Sequence, residues 1–290
     1  MTSTARRALD RVPVRLRRLL PSDLRADLRH RSGLTVPGDL AYRATPPRPA
    51  PGERTGPPDF AVLGAAAAGS RWWLSLIGDH PDVAPGHDSA AAAHFFDPYC
   101  TERFGPAEVA TFHAWFPRRP GRIVGFWSPD GTAHPWVPPL LARAAPRALV
   151  VVLVRDPVER LLDGLDRTAD ARPAHPGSYL ADAVDRGCYA DQLAHLFECY
   201  PPGRVRVLQY ERCVADPVGS LAATFEFLGV DPTYRARPLD PPAAAPRAAG
   251  QLDPDTLERV RDLYAHDIRA LADLVPDLDL SLWPSAVAPG

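Results

Sequence analysis

Apolar residues gather in short runs of strand length along the middle of the chain, and stretches of helical periodicity separate them. Phe60 to Leu63 is the first such run, followed by Ile123 to Phe126, Leu149 to Val154 and Val205 to Gln209. Apolar positions at helical spacing predict helices over Arg71 to Asp79, Val158 to Arg167, Ser178 to Tyr200, Ser220 to Leu228 and Pro254 to Leu274. The Asp79-His80-Pro81 turn stops the first of them. Strands that are apolar throughout suit a sheet buried on both faces, and their alternation with helices suits parallel connections. The pattern therefore predicts an α/β fold, a central parallel sheet flanked by helices. Ala236 to Gly250, rich in Pro and Ala, reads as a loop, and no internal repeat is present.

Before residue 59 the pattern is different. Residues 1–43 set arginines among leucines, as in Arg15-Leu16-Arg17-Arg18-Leu19-Leu20, and predict short basic amphipathic helices broken at Pro13 and Pro21. Such a segment suits peripheral contact with anionic lipid or a protein partner, or a solvated helix packed on its own domain. Thr45 to Pro58 reads as a stiff Pro-rich linker. The expected organisation is an arm and linker over residues 1–58 and an α/β domain over residues 59–290.

Composition narrows the function. With 46% hydrophobic and 23% charged residues the chain is ordinary globular material, and its net charge of -2 gives no general attraction to nucleic acid. Any anion site must be local. No apolar run reaches the length of a spanning helix and no apolar h-region follows the first arginines, so a cytoplasmic protein is expected, with peripheral membrane contact as the one qualification. Cys100, Cys188, Cys199 and Cys213 lack the spacing of a zinc site and read as buried free thiols. Lysine is absent altogether, so arginine, a planar fork and not a point donor, does every cationic task.

That absence bears on one loop. Gly64-Ala65-Ala66-Ala67-Ala68-Gly69-Ser70 follows the first strand and opens the first helix, where backbone N–H groups and the positive helix end can cradle an anion. The same turn also serves simply to pack a strand close to a helix. A Walker loop would continue with Lys and then Ser or Thr; here Ser70 and Arg71 stand instead, which argues against an ATP or GTP hydrolase and against a nucleotide kinase.

A second segment, Val154-Arg155-Asp156-Pro157-Val158-Glu159-Arg160, completes a pattern. It joins the Gly64 to Leu74 loop and helix, His80-Pro81, His94-Phe95-Phe96-Asp97, Gly125 to Pro129, Gly187-Cys188-Tyr189, Tyr210-Glu211-Arg212 and Phe227-Leu228-Gly229-Val230. In this order the chain resembles the PAPS-dependent sulfotransferases, in particular the branch acting on carbohydrates such as heparan sulfate. The resemblance runs from Phe60 to about Trp283. It implies a three-layer, P-loop nucleotide-kinase-like fold, PAPS (3′-phosphoadenylyl sulfate) as co-substrate, no metal, and a carbohydrate or small-molecule acceptor. It also implies that Gly64, Ala66, Ala67, Ala68, Gly69, Ser70 and Arg71 surround the 5′-phosphosulfate, and that Arg155 meets the 3′-phosphate. From the residues alone, Arg155 reads equally as a partner of Glu159 or Asp156.

The chain departs from that family where charge matters. The loop lysine is Ala67; a Lys-Glu pair before His-Phe-Phe, with the Glu as base, is Ala91 and Ala92; a Lys before Ser-Pro is Trp127; and a Ser beyond the Arg is Asp163. A missing oxyanion donor costs about 3 to 4 kcal/mol of barrier and a missing base about a hundred- to ten-thousand-fold in rate. An ionised Asp163 about 4 Å from a phosphate would oppose it by about 4 kcal/mol at an effective dielectric of about 20. Arg71 and His94 are the candidate acid and base that remain, although Arg71 equally suits a pair with Asp79, and His94 a packing role. Trp72, Trp73, Trp115 and Trp127 suit either a sugar-stacking cleft or the core. Two functions follow: sulfuryl transfer from PAPS to a hydroxyl, or a catalytically inactive relative that binds a carbohydrate or protein partner.

Overall fold

Five parallel strands in the order β3-β5-β2-β6-β7 form the sheet that the apolar runs predict, in a computed structural model that describes residues 45–46, 48–49, 53–84, 90–168, 176–237, 240–241 and 252–286. The basic arm and most of the loop from 236 to 250 lie outside the described residues. In chain order the strands are β1 (Arg54–Thr55), β2 (Phe60–Leu63), β3 (Val83–Ala84), β4 (Pro117–Arg118), β5 (Ile123–Ser128), β6 (Leu149–Val154) and β7 (Val205–Gln209). The helices are α1 (Ser70–Gly78), α2 (Ala90–Ala93), α3 (Pro106–His113), α4 (Val137–Ala144), α5 (Pro157–Thr168), α6 (Pro176–Asp185), α7 (Tyr189–Cys199), α8 (Tyr210–Ala215), α9 (Pro217–Leu228) and α10 (Pro254–Leu274).

β2 lies in the middle, with Phe60 opposite Gly125 on one side and Leu149 on the other. It is apolar at every position because all four of its residues are buried. The chain leaves β2 toward the β5 and β3 edge and leaves β6 toward β7, so the C-terminal ends of β2 and β6 bound the crevice where α/β sheets bind ligands. β1, inside the stretch that reads as linker, pairs antiparallel with β4, and Arg118 grips Asp59 through both guanidinium nitrogens at 2.6 and 2.7 Å.

Local chemistry sets the helix ends. Asp156 accepts from the amides of Val158 and Glu159 at 2.9 and 3.1 Å, capping α5 behind Pro157. Asp253 accepts from Thr256 at 2.9 Å and starts α10 at the predicted residue. One expected helix, Ser178 to Tyr200, is two. The chain breaks at Gly187, where a Cβ would lie 2.6 Å from the Tyr264 hydroxyl, so α10 passes too close for a continuous side-chain-bearing turn. Asp267 of α10 then restarts the helix by accepting from the amides of Tyr189 and Ala190 at 2.8 and 3.0 Å.

The cysteines are all free, but of the four only Cys213 is buried, while Cys100 is exposed. Burial pushes the Cys213 thiol up to about 12, so it stays protonated. Among the described residues no helix is long and apolar enough to cross a membrane.

Candidate nucleotide site

The loop after β2 is held by its neighbours and leaves amides over. Gly64 N–H donates to Ser128 O and Ala65 N–H to Leu153 O, both at 2.8 Å, and Ala68 N–H closes a turn onto Ala65 O at 3.0 Å. These bonds clamp the loop between β5 and β6. The amides of Ala66, Ala67, Gly69 and Ser70 have no hydrogen-bond partner among the described residues. Gly64, Ala67 and Gly69 take left-handed φ of 56°, 62° and 87° ahead of the α1 N-terminus. Ala68 is fully buried beneath them, Ala66 and Ala67 are half-buried, and Ser70 Oγ accepts from Trp127 Nε1 at 3.3 Å.

Arg155, at the end of β6, reaches this loop. Its Nη1 donates to Ala67 O and to Asp163 Oδ2, both at 3.1 Å, and its guanidinium carbon lies 4.9 Å from the centre of the Tyr210 ring. That same ring covers Gly69, where a Cβ would approach two of its carbons to 2.7 Å. Tyr189 fixes the backbone by donating its hydroxyl to Arg155 O at 3.0 Å. The carboxylate partner of Arg155 is therefore Asp163 on α5 and not Asp156, whose oxygens cap that helix and accept from Ser285 N at 2.9 Å. Asp163 is 7% exposed and Arg155 14%, so the pair is closed in from solvent.

Arg71 is exposed on the first turn of α1, with its guanidinium carbon 5.4 Å from the Trp127 ring. Asp79 accepts instead from the Tyr234 hydroxyl at 2.9 Å and from Arg237 N at 3.1 Å. His94 belongs to a second group. Its Nδ1 lies 3.0 Å from Asp97 Oδ2, and the other oxygen of Asp97 faces His134 Nδ1 at 3.9 Å. His134 stacks on Trp136 with ring centres 4.6 Å apart, and burial holds its pKa below the ordinary 6.5 against the opposing charges of Asp97 and Asp182. The segment that leads to His134 passes close to the loop at its start, where a Cβ on Gly64 would lie 3.0 Å from Pro129 O and 3.1 Å from Thr132 Oγ1.

A model of the Sulfotransferase family matches residues 131–234, a stretch holding Arg155 and Asp163 but not the glycine loop. Heparan sulfate glucosamine 3-O-sulfotransferase 3B1 of Homo sapiens is 27% identical over 188 residues, which are 60% of this chain and 46% of that protein. The human 3-O-sulfotransferase 6 is 28% identical over 188 residues, 60% of this chain and 52% of that protein. This chain thus matches about half the length of these curated relatives. A sulfotransferase from Alicyclobacillus acidocaldarius shares the fold with a TM-score of 0.62 at 22% identity, covering 78% of this chain and 98% of that one. Together these matches support a PAPS-dependent sulfotransferase family.

Within this sulfotransferase-like frame, the structure brings the expected loop and Arg155 together and sets beside them Tyr210, which the sequence marked only as part of a resembling segment; it likewise joins His94 to Asp97, from the same quoted segment, and to His134, which the sequence did not single out. Asp97 carried a signal, since it stands three residues after His94, one helical turn away. Tyr210 stood in a resembling segment without a role, and His134 carried no signal, because their neighbours come from distant parts of the chain. Trp72, Trp73 and Trp115 are buried in the core, whereas Trp127 is half-buried. Ala92 is buried too, while the side chain of Ala91 lies outside the described residues.

Proposed function

We propose that the chain binds the nucleotide of PAPS between the glycine loop and Arg155 and transfers its sulfuryl group to a hydroxyl of a carbohydrate. The observation that carries this reading is the convergence of two sequence-distant features, the Ala67 carbonyl and the Arg155 guanidinium, at 3.1 Å in the sheet crevice. The unpaired loop amides suit the 5′-phosphosulfate. The acceptor class follows the relatives, which are heparan sulfate glucosamine 3-O-sulfotransferases.

In the proposed reaction the acceptor oxygen bonds to sulfur as the bond from sulfur to the bridging phosphate oxygen breaks. His94 takes the hydroxyl proton on Nε2, because Nδ1 faces the Asp97 carboxylate and holds the other ring proton there. The loop amides and Arg71 meet the charge that develops on the departing oxygen. The test is transfer of radiolabelled sulfate from PAPS to a heparan-type oligosaccharide. Labelled product that disappears in Arg155→Ala and His94→Ala supports the reading; no product, together with no adenine nucleotide bound at millimolar concentration, overturns it.

A second reading is an inactive relative that binds a carbohydrate or protein partner. The pairing of Arg155 with Asp163 favours it, since the cation meant for an anion is already neutralised. Tight oligosaccharide binding without turnover would select it.

A further inference from the structure

We infer that the end of the sheet remote from the candidate nucleotide site is a docking face for an anionic phospholipid surface, built from the arginine-bearing segments that lead into β5, β6 and β7. The inference is independent of what the crevice binds. Those segments read Arg118-Arg119-Pro120-Gly121-Arg122, Arg143-Ala144-Ala145-Pro146-Arg147 and Pro201-Pro202-Gly203-Arg204, and none contains a carboxylate. β5, β2, β6 and β7 are adjacent and parallel, so all three segments come to one end of the sheet, within about 15 Å across at the usual strand spacing.

The arginines there are placed without being neutralised. Arg119, Arg122, Arg143 and Arg147 are exposed. Arg143 donates to Phe104 O at 2.7 Å and Arg204 to Arg147 O at 2.6 Å, bonds to carbonyls that fix the side chains and leave their charge. Among the described residues none of these five arginines forms an ion pair with a carboxylate. Asp59, just before β2, is taken up by Arg118. Asp82, just before β3, is linked through His80 to Asp231, and this acidic corner bounds the face at the β3 edge. The whole chain has a net charge of -2, so attraction to an anionic surface has to come from one face.

The occupant follows from what enters at the same end. β1 pairs with β4 so that Arg54 lies opposite Arg118, and the chain comes to β1 from residues 1–43, whose sequence sets arginines among leucines. A basic face next to basic, leucine-bearing sequence supplies both the charge and the apolar contact of reversible membrane attachment, whereas an anionic glycan would use only the charge. Docked this way, the C-terminal ends of β2 and β6 face away from the lipid, about 20 Å off, the length of the six-residue β6.

Sedimentation of the full chain with phosphatidylcholine vesicles, with and without about a third phosphatidylserine, reads the face directly. Binding is expected to be at least about tenfold stronger with phosphatidylserine and to fall as salt is added. Each arginine near the surface contributes about fivefold, so Arg119→Ala/Arg122→Ala/Arg147→Ala is expected to weaken binding about a hundredfold. Arg261→Ala/Arg269→Ala, exposed on α10, is expected to leave it unchanged. Should the triple variant fail to fold, Arg122→Gln/Arg147→Gln decides in its place with an expected loss of about 25-fold. Undiminished binding by the variant assigns the contact to residues 1–43 and overturns the inference, as does equal binding to both vesicle types. Absence of vesicle binding overturns it as well, and retention on heparin that the triple variant loses would then assign the face to an anionic glycan.

Discussion

Replacing Gly69 by Ala adds one methyl group at the point where the loop enters α1. Two costs arise, and the structure separates them. The residue has φ of 87°, a left-handed conformation that opposes a Cβ by about 1–2 kcal/mol. The new Cβ would also stand 2.7 Å from Cδ2 and Cε2 of Tyr210, so the ring must shift, at the cost of overpacking, about 1–3 kcal/mol. The sum is about 2–5 kcal/mol. Gly229→Ala supplies the control, because its φ is 75° and nothing lies within 4 Å of the added methyl. That variant should lose only the backbone part, about 1–2 kcal/mol. Because the Tyr210 ring also supports the Arg155 guanidinium at 4.9 Å, Gly69→Ala should weaken nucleotide binding as well, and Gly229→Ala should not. Urea unfolding of both variants, read at the transition midpoint, measures the difference. Equal losses would refute the claim that Tyr210 packs over the loop.

Other residues give independent checks. Thr224→Val leaves the Trp73 indole N–H, now 3.2 Å from Thr224 Oγ1, buried without an acceptor, and should cost about 1–3 kcal/mol by urea unfolding. Glu211 is half-buried and accepts from Asp156 N and Trp283 Nε1 at 2.9 and 2.8 Å. Burial raises its pKa above the ordinary 4.5 despite those bonds, so the folded chain holds the proton to higher pH than the unfolded chain does. The associated stability is full below 4.5 and is lost as pH rises through the folded value, so the stability of wild type minus that of Glu211→Gln should fall over that window; a difference that grows with pH would contradict it. If the proposed transfer occurs, Asp97→Asn should lower kcat more than it raises KM and should shift the pH profile, since it alters the group that orients His94; an unchanged profile would remove Asp97 from that role.

Much of the frame was legible because the signals are local. β2, β6 and β7 are found where the apolar runs stand, and α10 spans the predicted Pro254 to Leu274, because Asp253 and Pro254 mark a helix start within a few residues. β1, β3 and β4 went unread because two residues are too few to show a period. The break at Gly187 was illegible for a different reason: its cause is Tyr264, far along the chain.

The candidate site divides in the same manner. Gly64 and Arg155 follow apolar runs visible in the sequence as strands, and the family resemblance, not periodicity, implied that they serve one site. That Arg155 bonds Asp163 instead of Asp156, that Tyr210 lies over Gly69, and that Asp97 stands between His94 and His134 were decided by the tertiary structure. Burial periodicity is set by each residue's immediate neighbours, whereas the partner of a charged group is whatever packing brings within about 3 Å of it.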